Sequence, residues 1–93
     1  MEQQILFDLA DFFKIMSDST RIRILDLLYE NALTVNSICE KLSLQQTTVS
    51  HQLRLLKMSK LLESKKEGRN IFYCLKDEHI FELLRISKEH LEE

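Results

Sequence analysis

Three groups of residues in this 93-residue chain have types and spacings suited to specific chemistry. The first is a run of short polar side chains, Gln45, Gln46, Thr47 and Thr48, followed by Ser50, His51 and Arg54. Glutamine pairs with adenine through two hydrogen bonds, Ser and Thr hydroxyls bond either way, and Arg suits guanine or a phosphate. The second group is Lys65, Lys66 and Arg69, cations gathered around the single glycine, Gly68, where they suit a nucleic-acid backbone or minor groove. The third is Asp77, His79, His90 and Glu93, spaced Asp-x-His-x10-His-x2-Glu. Imidazole nitrogens and carboxylate oxygens in fourfold sets suit Zn²⁺, and Co²⁺ fits the same donors.

The elements that must position these groups can be read from hydrophobic period. Ile5, Leu6, Leu9, Phe12, Phe13 and Met16 recur at helical spacing. Ser17-Asp18-Ser19-Thr20 ends that helix and offers caps for the next. The second helix carries Ile22, Ile24, Leu25, Leu27 and Leu28 on most of its sides, which predicts a central place. Thr34 caps a short third helix with Val35, Ile38 and Leu42, and Ser43-Leu44 makes a tight break. A fourth helix is expected over about Gln45–Lys57, with Val49, Leu53, Leu55 and Leu56 inward. The period then changes. Leu62–Lys66 and Asn70–Leu75 flank Glu67-Gly68-Arg69, and the β-branched and aromatic run Ile71-Phe72-Tyr73 reads as strand. Glycine at the hairpin hinge supplies a positive φ. A last helix, roughly Asp77–Glu92, carries Ile80, Phe81, Leu83, Leu84, Ile86 and Leu91.

The expected fold is therefore mainly α with a β-hairpin wing, in the order ααααββα, as a single domain over residues 1–93. Two short helices with a tight turn, followed by a basic hairpin, form a winged helix-turn-helix pattern. The fourth helix then presents its polar N-terminal end to base edges. Charge supports this reading, although the net charge is −2. Residues 41–76 carry 8 basic and 2 acidic side chains, while both flanking segments are acidic. Nucleic-acid affinity follows such local surplus rather than the overall balance. The chain has no apolar run long enough to span a bilayer and no signal-peptide pattern, so a cytoplasmic location without membrane partners is expected. Cys39 and Cys74 form no CxxC, and a structural disulfide is not expected in that compartment. No nucleophile–base pair or phosphate loop suggests an enzyme.

These residues resemble the ArsR/SmtB family of bacterial metal-responsive repressors. The resemblance lies in Met16-Ser17-Asp18-Ser19-Thr20-Arg21-Ile22-Arg23-Ile24-Leu25, in Thr48-Val49-Ser50-His51-Gln52-Leu53, and in Glu67-Gly68-Arg69 with Phe72-Tyr73. It implies a homodimer packed through the first and last helices and bound to a two-fold-symmetric operator in double-stranded DNA. Lys60 stands where many members have Gly, a departure at the exit from the reading helix. The family's thiol site on the third helix maps to Thr34 and Asn36, and no cysteine occurs in residues 1–38, so that site is not expected. Cys39 and Cys74 are expected as small core residues.

The last-helix residues need a partner to act together. His79 and His90 are eleven residues apart, so they face the same way but lie about 16 Å apart along a helix. One ion cannot touch both. Antiparallel packing of two such helices across a dimer axis would bring Asp77 and His79 of one chain to His90 and Glu93 of the other. Asp77 must sit at or before the helix cap. Alone, it reads as a cap, and the histidines read as surface residues. The resemblance adds that the zinc- and cobalt-sensing branch uses this ligand set and spacing. Zn(II), or Co(II), as a regulatory ligand that lowers operator affinity is the resulting expectation. Two other readings stay open: the same repressor answering thiol oxidation at Cys39 or Cys74, and a winged-helix interaction domain that uses no DNA.

Overall fold

The computed structural model describes residues 2–93. Its elements are α1 (Gln3–Met16), α2 (Ser19–Glu30), α3 (Val35–Leu42), α4 (Gln46–Met58), β1 (Leu62–Glu67), β2 (Asn70–Leu75) and α5 (Glu78–Glu92). The expected order holds, with ends displaced by a residue. Gln45 is the cap of α4 rather than its first turn, and Asp77 is the cap of α5.

Local signals explain where the helices start. The Asp18 carboxylate accepts from the Arg21 amide at 3.0 Å, and the Thr34 hydroxyl accepts from the Ser37 amide at 3.2 Å. Each satisfies one of the four amides that a helix N-terminus leaves without a partner. The ends of two helices are set by left-handed residues. Ser43 (φ 55°) closes α3, and Lys60 (φ 64°) closes α4. After α4 the Lys60 amide donates to the Lys57 carbonyl at 3.1 Å and the Leu61 amide to the Leu56 carbonyl at 3.0 Å. This is the Schellman arrangement, in which glycine normally takes the place Lys60 holds. A side chain in that conformation costs about 1–2 kcal/mol, so the lysine is a strained substitute and the fold tolerates it.

The core lies under the helix-turn-helix. Ile24, Leu25 and Leu28 of α2, Ile38 of α3, and Val49, Leu53 and Leu56 of α4 meet Leu61, Leu62, Ile80 and Leu84. Helix α2 is central on that inner side, but Ile22 is exposed and Leu55 only half-buried, so neither joins the core as expected. The larger departure is α1. Of its apolar residues only Met16 is buried, while Ile5, Leu6, Phe7, Leu9 and Phe13 stay exposed. Ile86 and Leu91 on α5 are exposed too. Helices α1 and α5 are thus only partly covered within one chain, and a cluster of exposed apolar side chains of this kind suits an interaction face.

The wing is an antiparallel pair in which Glu67 faces Asn70 and Leu62 faces Leu75. Gly68 (φ 62°) takes the first central position of the two-residue turn, where a positive φ is required. A single-residue bridge extends this sheet. The Leu33 amide donates to the Tyr73 carbonyl at 3.0 Å, and the Tyr73 amide donates back to Leu33 at 2.8 Å. The bridge anchors the wing to the α2–α3 link.

Candidate DNA interface and metal ligands

Helix α4 is divided along its length into a fixed back and a free front. Val49, Leu53 and Leu56 are buried, whereas Gln46, Thr47, Thr48, Ser50, His51 and Arg54 are exposed. Gln45 is exposed as well and, as cap residue, makes no side-chain bond to the first turn. The leading amides of α4 are therefore left for water or an anion, and a phosphate suits that end. Lys65, Lys66 and Arg69 are exposed on the wing. Lys65 lies 3.7 Å from the Glu63 carboxylate, which offsets part of its charge. Helix α4 and wing are also tied directly: Lys57 Nζ donates to Ser64 Oγ at 2.7 Å. All ten residues expected at the DNA surface are thus solvent-facing, those of α4 on a helix with a buried back and those of the wing on a hairpin end exposed on both faces.

The metal candidates form two separate pairs. Asp77 Oδ1 accepts from the His79 and Ile80 amides at 3.0 and 3.3 Å, capping α5, and stands 3.5 Å from His79 Nδ1. Burial raises the Asp77 pKa, but the Ile80 amide bond, the His79 charge and the His79 hydrogen bonds outweigh it and leave it lowered. This keeps the carboxylate charged for capping or ligation. At the far end, His90 Nδ1 lies 3.7 Å from Glu93 Oε2. The His79 and His90 side chains are 93% and 79% exposed. Among the described residues no three metal-binding side chains converge within one chain. The donor set fits zinc chemistry, but each end of α5 offers only half of it.

The thiols are expected inside the core, but neither is fully buried: Cys39 packs against the core and Cys74 does not. Cys39 and Cys74 are free and half-buried. Burial, reinforced by the neighbouring Glu63 carboxylate, raises the Cys74 pKa, which disfavours the reactive thiolate. Two further residues had no local sequence signal. Arg21 and Gln52 hydrogen-bond across α2 and α4 at 3.3 Å. Only the tertiary arrangement brings these positions, 31 residues apart, together.

Short helices joined by a left-handed turn, a polar reading face and a basic hairpin define a winged helix-turn-helix protein. Comparison with known proteins agrees. The family model "Bacterial regulatory protein, arsR family" matches residues 18–64. A Staphylococcus aureus protein named cadmium resistance transcriptional regulatory protein CadC homolog is 35% identical, over 100% of this chain and 78% of its own length. A Synechocystis protein named transcriptional repressor SmtB homolog is 34% identical over 91% of this chain. The chain spans 64% of that relative's length. A homodimeric winged helix-turn-helix DNA-binding domain from Mycobacterium bovis superposes with a TM-score of 0.82 at 31% identity, covering 96% of this chain and 86% of its own. This chain belongs to the ArsR family of bacterial regulatory proteins, which are transcriptional regulators and not enzymes. No helix among the described residues is long and apolar enough to cross a membrane.

Proposed function

We propose that the protein is a homodimeric transcriptional repressor that binds a two-fold-symmetric operator and is released by Zn(II), or Co(II), bound between its subunits. Residues 1–93 act as one DNA-binding and dimerisation unit, with the two α4 helices in successive major grooves and the wings on the adjacent backbone. The observation that carries the reading is the layout of α5. A histidine–carboxylate pair stands at each end, Asp77 with His79 and His90 with Glu93, and exposed Ile86 and Leu91 lie along the helix. Antiparallel contact of two α5 helices covers apolar surface and completes two sites of two imidazoles and two carboxylates each. The exposed face of α1 extends the same interface.

Zinc crosslinks the paired α5 helices and favours a subunit arrangement whose reading helices no longer match the operator. Allosteric couplings of this kind run to about 1–3 kcal/mol, or roughly 5–150-fold in affinity. Operator DNA must weaken zinc binding by the same factor. Anisotropy of a labelled palindromic operator, titrated with protein with and without saturating zinc, tests this. The expected result is a weaker complex with zinc for the wild type, and no zinc effect for His79→Ala or His90→Ala. An operator affinity that zinc leaves unchanged in the wild type removes the sensor reading while sparing DNA binding.

A further inference from the structure

We propose that Arg21 is a positioning residue for the reading helix, holding α4 through Gln52 at the angle from which its N-terminal side chains meet base edges. The inference rests on α4 being the helix that enters DNA. Arg21 stands in the first turn of α2, where its own amide is capped by Asp18. Its half-buried side chain leaves α2 in two directions. Nε donates to the Ile15 carbonyl at 2.7 Å, in the last turn of α1. A terminal guanidinium nitrogen donates to Gln52 Oε1 at 3.3 Å, in the middle of α4. One planar, charged group thus ties the end of α1 and the start of α2 to the body of the reading helix.

Packing of its buried face fixes which side of helix α4 turns inward, and the tie adds a directional polar restraint on its tilt. Val49, Leu53 and Leu56 set how deeply the helix sits, but apolar burial is non-directional. The Lys57–Ser64 bond lies at the C-terminal end and is exposed, so water competes for it. The Arg21–Gln52 bond is part-buried with a charged donor, so water competes for it less than for the Lys57–Ser64 bond. Gln52 is six residues from Gln46, about 9 Å along the helix. A change of tilt at Gln52 is therefore carried to the side chains that face DNA. The guanidinium is directed onto a carbonyl and an amide, not outward to a phosphate. Lysine cannot replace it, since a point charge lacks the fork that reaches both acceptors.

The test is anisotropy on a duplex that the wild-type protein selects from a random pool, read at several salt concentrations. It compares wild type, Arg21→Met, Arg21→Lys, Gln52→Met and the double variant Arg21→Met/Gln52→Met. Each single change is expected to weaken binding by about tenfold, and the double variant no more than either single one. The slope of log affinity against log salt should stay at the wild-type value, and Arg21→Lys should behave like Arg21→Met. Multiplying losses in the double variant overturn the proposal. So does a salt slope that Arg21→Met reduces by about two per dimer, which makes Arg21 a phosphate contact. If the Arg21 variants melt below assay temperature, Gln52→Met decides alone: a tenfold loss without a change in melting supports the tie, and full affinity overturns it. Silent variants beside a binding wild type remove only this inference. A wild type that selects no duplex removes the DNA reading of α4 together with it.

Discussion

Raising salt from 50 to 200 mM is expected to weaken operator binding about 10⁴-fold. Each protomer offers Arg54, Lys65, Lys66 and Arg69, eight cations in a dimer. Neutralising that many phosphates releases condensed counterions and gives a slope of about −7 in log affinity against log salt. Lys65 contributes least, because Glu63 already lies 3.7 Å away. Replacing Arg69 with Ala should flatten the slope by about two per dimer and weaken all sequences alike. Replacing Gln46 with Ala should instead leave the slope unchanged and relax discrimination at one base position, by about 1–3 kcal/mol. A slope near zero would contradict phosphate contact and favour a winged helix that recognises protein. The overall acidity of the chain is no obstacle to this behaviour, since 13 of its 15 acidic side chains lie outside residues 41–76.

Leu53→Ala is expected to destabilise the fold by about 2–5 kcal/mol. Leu53 is 1% exposed, on the buried side of α4 between Val49 and Leu56. The neighbouring core side chains cannot all close the space, so the loss includes a cavity as well as the transfer of methyl groups. For a domain whose whole stability is of order 5–15 kcal/mol this is a large fraction. It corresponds to a fall of roughly 10–30 °C in melting temperature at this chain length. Urea or thermal melts at fixed protein concentration check it, since dimer stability varies with concentration. Thr47→Ala, on the opposite face of the same helix, should melt within about 0.5 kcal/mol of the wild type while losing operator affinity. Equal melting of Leu53→Ala and wild type would mean that α4 is not seated as described.

The sequence made the exposed polar face of α4 legible because its two sides differ in residue type. An apolar back at Val49, Leu53 and Leu56 and a polar front from Gln45 to Arg54 leave one orientation open. The hairpin was legible for a similar reason, since Gly68 and the β-branched run after it specify turn and strand. The exposure of Ile22 and of most of α1 was not. Hydrophobic period says which face seeks cover, but not whether this chain or another supplies it. The Leu33–Tyr73 bridge escaped because a single residue pair leaves no periodic trace. Arg21 and Gln52 escaped because their meeting depends on the packing of α2 against α4. Lys60 stands where many family members have glycine, and its positive φ gives that departure a physical cost. The pairing of His79 with Asp77 and of His90 with Glu93 follows from helix spacing. Their union between subunits depends on quaternary contact that neither helix spacing nor a single chain specifies.

The proposed release of the operator by zinc requires ligands from two different protomers. Mixing His79→Ala protomers with His90→Ala protomers tests it most directly. Homodimers of either variant lack an imidazole at both sites. In the heterodimer one site keeps Asp77 and His79 from the His90→Ala chain and His90 and Glu93 from the His79→Ala chain. Neither variant alone is expected to respond to zinc in operator anisotropy, and the exchanged mixture is expected to recover part of the wild-type release. A mixture as unresponsive as its two components, with each variant still binding the operator, would contradict it.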